Sequence, residues 1–298
     1  MADQASVAMP PRVLVAARKI FSRYPPTQAL AASSDPSGPT EDDDSKLRDH
    51  IIKYKQEAYA AYPYPCIKLW LFLHSTITDT PVYESVIKPK LQPPSSTILM
   101  DIGCGLGQDI RSLVSDGAEP ENIIGFDLHQ EFIQAGYGLF MDGPDSDAPL
   151  KSTFITGSLF DDDNDLTKYH GKVDIIHISS VLHLFGLEKQ ITVANRLDKV
   201  LKSEPGAIIT GKQLGVKEPG VLKEDIDDSG GFGSRVLSVG VFRHNPETFK
   251  DFWTKVGDGK WNVQVTELVL NIDPEQYPIT LVKRGDVVTV LRFAVTRL

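Results

Sequence analysis

One stretch limits the fold more than any other: Ile98-Leu99-Met100-Asp101-Ile102-Gly103-Cys104-Gly105-Leu106-Gly107. A compact apolar run, Thr97 to Ile102, enters a loop with glycine at every second position, and a helical pattern follows from Asp109 to Ser115. Glycine lets the backbone turn with positive φ and lets a ligand come close. The start of a helix adds unpaired N–H groups and a partial positive charge. A tight turn can look the same. The second apolar run, Asn122 to Asp127, argues for a binding loop, because its terminal acid falls twenty residues after Gly107. In a doubly wound sheet that acid lies beside the loop and can accept both hydroxyls of a ribose. Asp127 also suits a cap for the residues after Leu128, and the two roles are compatible.

Further along, Thr153 to Thr156, Lys172 to Ser179 and Gly206 to Thr210 read as strands. Helical patterns begin at Gln130 and cover Leu187 to Lys202, with Ile191, Ala194, Leu197 and Leu201 on one side. Strands alternating with helices predict an α/β fold, doubly wound around a mainly parallel sheet with right-handed crossovers. Asn245-Pro246-Glu247 opens a late helix whose apolar face is Phe249, Phe252, Trp253 and Val256. Strands over 262–271 and 286–296, joined without a helix, predict an antiparallel C-terminal hairpin. Ahead of the core, a helix over Lys46 to Tyr62 stops at Pro63 and Pro65. A second short helix is expected near Val82 to Lys88. Residues 1–45, with paired prolines and the acidic run Glu41 to Asp44, read as a weakly ordered arm in which Val13 to Tyr24 can still dock as a helix. The plan is one domain over 46–298: a helical lead-in (46–96), a core (97–210), a glycine- and charge-rich loop or lid (211–245), and a terminal helix with strands (246–298).

Composition excludes several classes. The chain has 298 residues and a formal net charge of −9, so it has no general attraction for nucleic-acid phosphates or anionic membranes. No apolar run approaches a membrane span. Its two cysteines, Cys66 and Cys104, are too few for a disulfide framework and read as reduced thiols. No cluster of His, Cys and Asp has metal-ligand spacing, so no metal is expected. The basic, acid-poor first 34 residues faintly suggest a transit segment; the cytoplasm is the default expectation.

Asp101 to Gly107 resembles the first motif of class I S-adenosylmethionine-dependent methyltransferases, in which an acid precedes glycine-x-glycine-x-glycine. Dinucleotide dehydrogenases, the rival with the same fold plan, place the third glycine one position later. The resemblance implies a seven-stranded Rossmann-like sheet, with S-adenosylmethionine held by Asp101, Gly103, Cys104, Gly105, Gly107, Asp127 and Leu128 and released as S-adenosylhomocysteine. Asp101 would help hold the methionine amino group. Thr156 to Asp161 resembles the family's adenine-binding turn, with Ser158, Leu159 and Phe160 as contacts, although the acid usual at its start is absent. Val173 to Phe185 resembles the fourth strand and the loop past the transferring methyl group, which brings in Ser179 and Ser180. Tyr62-Pro63-Tyr64-Pro65-Cys66-Ile67 together with Ser179 to Phe185 is similar to fungal secondary-metabolite methyltransferases, among them enzymes that esterify farnesylated aromatic acids in meroterpenoid biosynthesis. A homodimer follows from the resemblance alone.

A small-molecule acceptor is therefore expected. A carboxylate is already ionised at neutral pH and needs no base, whereas a phenol titrates near pH 10 and benefits from one. His183 suits either chemistry as catalytic group. Tyr54, Tyr64, Lys212, Arg235 and Arg243 are candidates for the acceptor site. His177, inside an apolar strand, reads as structural. Methyl-ester formation is the first expectation, with hydroxyl methylation, a nicotinamide oxidoreductase and a non-catalytic methyltransferase-like partner protein as alternatives.

Overall fold

A computed structural model of the chain describes residues 9–221, 240–270 and 287–298. Helices α1 (Pro11–Phe21), α2 (Gln28–Ala31), α3 (Glu41–Ala61), α4 (Pro65–Lys68) and α5 (Lys88–Leu91) precede the sheet. Strand β1 (Leu99–Ile102), helix α6 (Gln108–Ser115), β2 (Ile123–Asp127), α7 (Gln130–Phe140), β3 (Thr153–Thr156) and β4 (Ile175–Ile178) follow. Then come α8 (Leu187–Val200), β5 (Ile208–Val216), β6 (Gly220–Val221), β7 (Phe242–Arg243), α9 (Pro246–Val256), β8 (Trp261–Val269) and β9 (Val288–Arg297). Seven strands form one sheet in the order β3-β2-β1-β4-β5-β9-β8. The pairs β3–β2, β2–β1, β1–β4 and β4–β5 are parallel, and β9 runs antiparallel between β5 and β8. This is the doubly wound plan with a terminal hairpin that the periodicity predicts. No helix among the described residues is long and apolar enough to cross a membrane.

The two-residue period of the strands sorts their side chains. Met100, Ile102, Ile124, Phe126, Ile176, Ile178 and Ile209 pack with α8 and α9 on one face. Leu99, Ile123, Ile175 and Ile208 turn to the other face, against α6 and the 77–91 segment. A third apolar cluster joins α1 and α3 to α7 through Leu14, Phe21, Leu47, Ile51, Phe132 and Phe140.

Two boundaries differ from the expectations. The region before residue 46 is packed from Met9 onward: Ala17, Phe21, Tyr24 and Thr27 are buried, and Tyr24 Oη donates to Asp142, which also pairs with the buried Arg111. The acidic run that suggests disorder is the first turn of α3, where four acids face the positive helix end and Thr40 and Asp43 form a reciprocal capping box. The core does not end at residue 210 either. Strand β5 continues to Val216 because the long β9 pairs with it along its whole length. Of the expected lid, only its flanks fall within the described residues, as β5, β6 and β7; residues 222–239 lie outside them.

Candidate active site

The loop after β1 folds as its glycines require. Gly103, Gly105 and Gly107 take φ values of 72, 55 and 75°. Gly103 N–H donates to Phe126 O at 2.7 Å, tying the loop to the end of β2. At Gly105 a side chain would meet no heavy atom within 4 Å, so bare backbone faces open space. That space is a cleft at the carboxyl ends of the parallel strands, where the strand order reverses between β1 and β4, the usual binding crevice of such sheets.

The cleft has two compartments. The larger, about 360 Å³, is lined by Tyr62, Tyr64, Asp127, Leu128, Ser158, Leu159, Phe160, Phe185 and Lys189, with other neighbours. The smaller, about 120 Å³, is lined by Asp101, Cys104, Gln108, Asp109, Thr76, His74 and Lys212 among others. Cys66, Ile67, Gly103, Gly105, Ser179 and Ser180 border both, so they form one continuous site.

Asp127 stands beside the loop. One oxygen accepts Gly105 N–H at 2.8 Å and the other accepts His129 N–H at 2.9 Å. The acid therefore braces the loop and caps the turn into α7 while keeping lone pairs for a ligand. Burial raises its carboxyl above the ordinary range, against the pull of those N–H bonds. Asp101 is buried at the floor of the small compartment; Oδ1 lies 2.8 Å from His177 Nδ1, and Oδ2 has no hydrogen-bond partner. An orphaned buried carboxylate oxygen is costly unless a ligand supplies the donor. A cationic amine meets that need, and together with the bare Gly105 backbone and Asp127 the residues fit an amino acid joined to a nucleoside.

Asp101, Asp109 and His177 bring facing atoms within 4.8 Å of one another. Asp101 and His177 are taken by each other, however, and Asp109 accepts Ile77 N–H, Thr76 N–H and the hydroxyls of Ser75 and Thr76. The three side chains are tied into one hydrogen-bonded layer. Asp109 and Thr76 escape sequence reading because an acid at the start of α6 looks like an ordinary helix-end residue, and Thr76 comes from a segment remote in sequence. Lys189, over the Phe160 ring at 5.4 Å, likewise looks like a solvated charge on α8.

The remaining expected residues separate. Ser158, Leu159, Phe160, Ser179, Ser180, Leu128 and Tyr64 all line the large compartment. Gly107 does not line the cleft; its N–H returns to Cys104 O and it opens α6. Tyr54 lies elsewhere, against Gly138 of α7 and the His50 ring. Lys212 lines the small compartment and pairs with Asp79 at 3.1 Å, which also holds His74 at 2.9 Å. His183 is buried, faces neither compartment, and accepts Leu214 N–H on Nδ1 at 3.2 Å. Burial, helped by Arg243, holds its imidazole well below the ordinary histidine range. Arg243 is buried beside it and donates to His183 O rather than reaching the cleft. Arg235 lies outside the described residues.

Known proteins are similar to this chain. Residues 42–73 match the model of the meroterpenoid methyltransferase N-terminal domain. An O-methyltransferase, phiE, from a fungal species is 37% identical over 222 residues, 73% of this chain and 69% of that one. The methyltransferase trt5 of Aspergillus terreus is 30% identical over 240 residues, covering 80% of this chain and 78% of that one. The Asnovolin E/Chermesin D methyltransferase nvfJ of Aspergillus novofumigatus is 32% identical over 61% of this chain and 63% of its own. Among solved structures, a phosphoethanolamine N-methyltransferase of Haemonchus contortus superposes with a TM-score of 0.54 at 13% identity, over 82% of this chain and 60% of that one. That last likeness speaks for the fold.

Proposed function

Because the chain belongs to the S-adenosylmethionine-dependent O-methyltransferases of fungal secondary metabolism, we propose that its cleft holds that cofactor and methylates a carboxylate of a prenylated aromatic polyketide, forming a methyl ester in meroterpenoid biosynthesis. The observation that carries this reading is Asp101 Oδ2, a buried oxygen without a protein partner at the floor of a glycine-backed cleft. In this reading Asp101 takes the ammonium, Asp127 the ribose hydroxyls, and Ser158, Leu159 and Phe160 the base. The cofactor supplies a methyl group already activated by a positive sulfonium. The protein's task is then to orient the acceptor oxygen and to exclude water.

The position of His183 favours a carboxylate. The histidine expected to act as base is buried away from both compartments, and a carboxylate needs no base. Lys212 and His74, both lining the small compartment, offer donors suited to an anionic oxygen. The match to the meroterpenoid methyltransferase N-terminal domain supports the acceptor class. One feature favours hydroxyl methylation as the second reading: Asp79 holds His74, and an imidazole held by an acid can serve as a base. Purified protein incubated with methyl-labelled S-adenosylmethionine and a prenylated aromatic acid is expected to give product whose label is released by mild alkali. Alkali-stable label would establish the ether and overturn the ester; no transfer to any acid would overturn the acceptor class.

A further inference from the structure

Nothing in the reaction as set out above calls for an imidazole inside β4, yet His177 is fully buried there. Its place follows from strand register: parallel pairing sets Asp101 of β1 opposite His177 of β4, and the period of two turns both side chains to the same face. Both ring nitrogens are engaged. Nδ1 meets Asp101 Oδ1 at 2.8 Å, while Nε2 lies 3.0 Å from Ser179 Oγ and 3.3 Å from Thr76 Oγ1. An apolar side chain would fill this position without the cost of burying an ionisable pair. The partner of that pair is the acid whose other oxygen, Oδ2, is left open beside the small compartment.

We propose that His177 is a positioning residue for the amino-acid end of the cofactor: it pins Asp101 Oδ1 so that Oδ2 faces the incoming ammonium, and it releases its proton to solvent as that ammonium binds. The inference rests on the cofactor reading above. Carrying the extra proton, the Asp101–His177 pair is neutral; without it the pair bears one negative charge, which is the form that attracts a cation. The hydroxyl of Ser179 tolerates both forms, since it can accept from a protonated Nε2 or donate to a bare one, whereas Thr76, whose proton goes to Asp109, can only accept. The charged groups facing His177 are Asp101 from β1, Asp109 from α6 and Lys212 from β5. Burial opposes charge on the imidazole, but Asp101 and then Asp109 outweigh it and Lys212, so the ring sits above the ordinary histidine range. Burial also raises Asp101, so both partners shift in the direction that holds the shared proton more tightly than the free groups would. Affinity for an ammonium-bearing ligand should accordingly rise with pH from about 6.5 upward, while the ligand's own amine stays charged.

The test is calorimetric titration of S-adenosylhomocysteine, which carries the amino-acid end, and of 5′-methylthioadenosine, which lacks it. In the unaltered protein the first ligand is expected to release protons, read as a binding heat that differs between phosphate and Tris buffers, and the second is not. His177→Phe is expected to weaken S-adenosylhomocysteine about tenfold or more, the scale of one hydrogen bond to a charged group, with methylthioadenosine unchanged. His177→Asn, which keeps an N–H toward Oδ1 but cannot titrate, should restore affinity without proton release. Equal losses for both ligands, an unchanged His177→Phe, or proton release persisting in His177→Asn would each overturn the role. If His177→Phe does not fold, His177→Asn decides the matter. Failure of the unaltered protein to bind either ligand would instead sink the cofactor reading, and this inference with it.

Discussion

Asp127 shows how much one side chain can be asked to do at the residue scale. Its oxygens already accept N–H groups from Gly105 and His129, so its loss removes a brace from the loop as well as the ribose contact proposed for it. Asp127→Ala is expected to weaken S-adenosylhomocysteine binding by about 1–3 kcal/mol, and Asp127→Asn, which keeps one acceptor, by less. Unchanged affinity by calorimetry would remove Asp127 from the site. His183 carries the opposite expectation. Because its ring faces Leu214 N–H and not the cleft, His183→Gln should lower stability by about 1–2 kcal/mol and leave turnover intact. A collapse of turnover in a variant with native melting behaviour would return His183 to the chemistry. The place of Asp127 beside the loop was legible in the sequence because an acid ending the second strand, twenty residues after Gly107, falls next to the first loop in a doubly wound sheet. The sequence could not reveal the orientation of His183, which depends on β5 lying across it.

At the scale of elements, helix α7 is packed against the glycine loop by the absence of a side chain. A Cβ on Gly136 would fall inside contact distance of Leu106 O, and backbone cannot step aside as a flexible side chain can. Gly136→Ala is expected to push α7 off the loop, costing about 1–3 kcal/mol of stability and weakening cofactor binding with it. Urea midpoints and calorimetry measured on the same preparation test this; weakened stability with unaltered affinity would show that the loop does not lean on α7. The elements that could be read from the chain were those with one clear period, such as β1, β2, α8 and α9. The start of α3 was hidden because a run of acids looks disordered until a helix dipole and the Thr40–Asp43 box are supplied by three-dimensional structure. The far half of β5 was hidden for a related reason: Lys212 to Val216 has a loop-like composition, and only the length of its partner β9 extends it.

Across the whole molecule, three of the described histidines are buried, and they divide by what surrounds them. His177 faces carboxylates and is held above the ordinary range, while burial holds His183, with help from the Arg243 guanidinium, and His244 below it. Burial pushes His244 down to about 4, against a weaker upward pull from Thr248. In the unfolded chain each histidine takes up a proton near pH 6.5. Between that value and about pH 4, unfolded protein therefore binds more protons at His183 and His244 than folded protein does, so stability falls as pH falls through this window. For His244 alone the shift corresponds to about 3 kcal/mol at most, lost progressively below pH 6.5. Asp101 and Asp127, raised by burial, work the other way and soften the decline. His177, raised rather than lowered, gives stability that is present below pH 6.5 and fades above its own folded value, so it does not cause acid loss. Urea unfolding at pH 7 and pH 5 is expected to show a lower midpoint at pH 5. In His244→Gln, whose amide can still meet Gln190 and Thr248, that difference should shrink. An undiminished pH dependence in the variant would mean that the acid sensitivity arises from other groups and that His244 is not buried in neutral form.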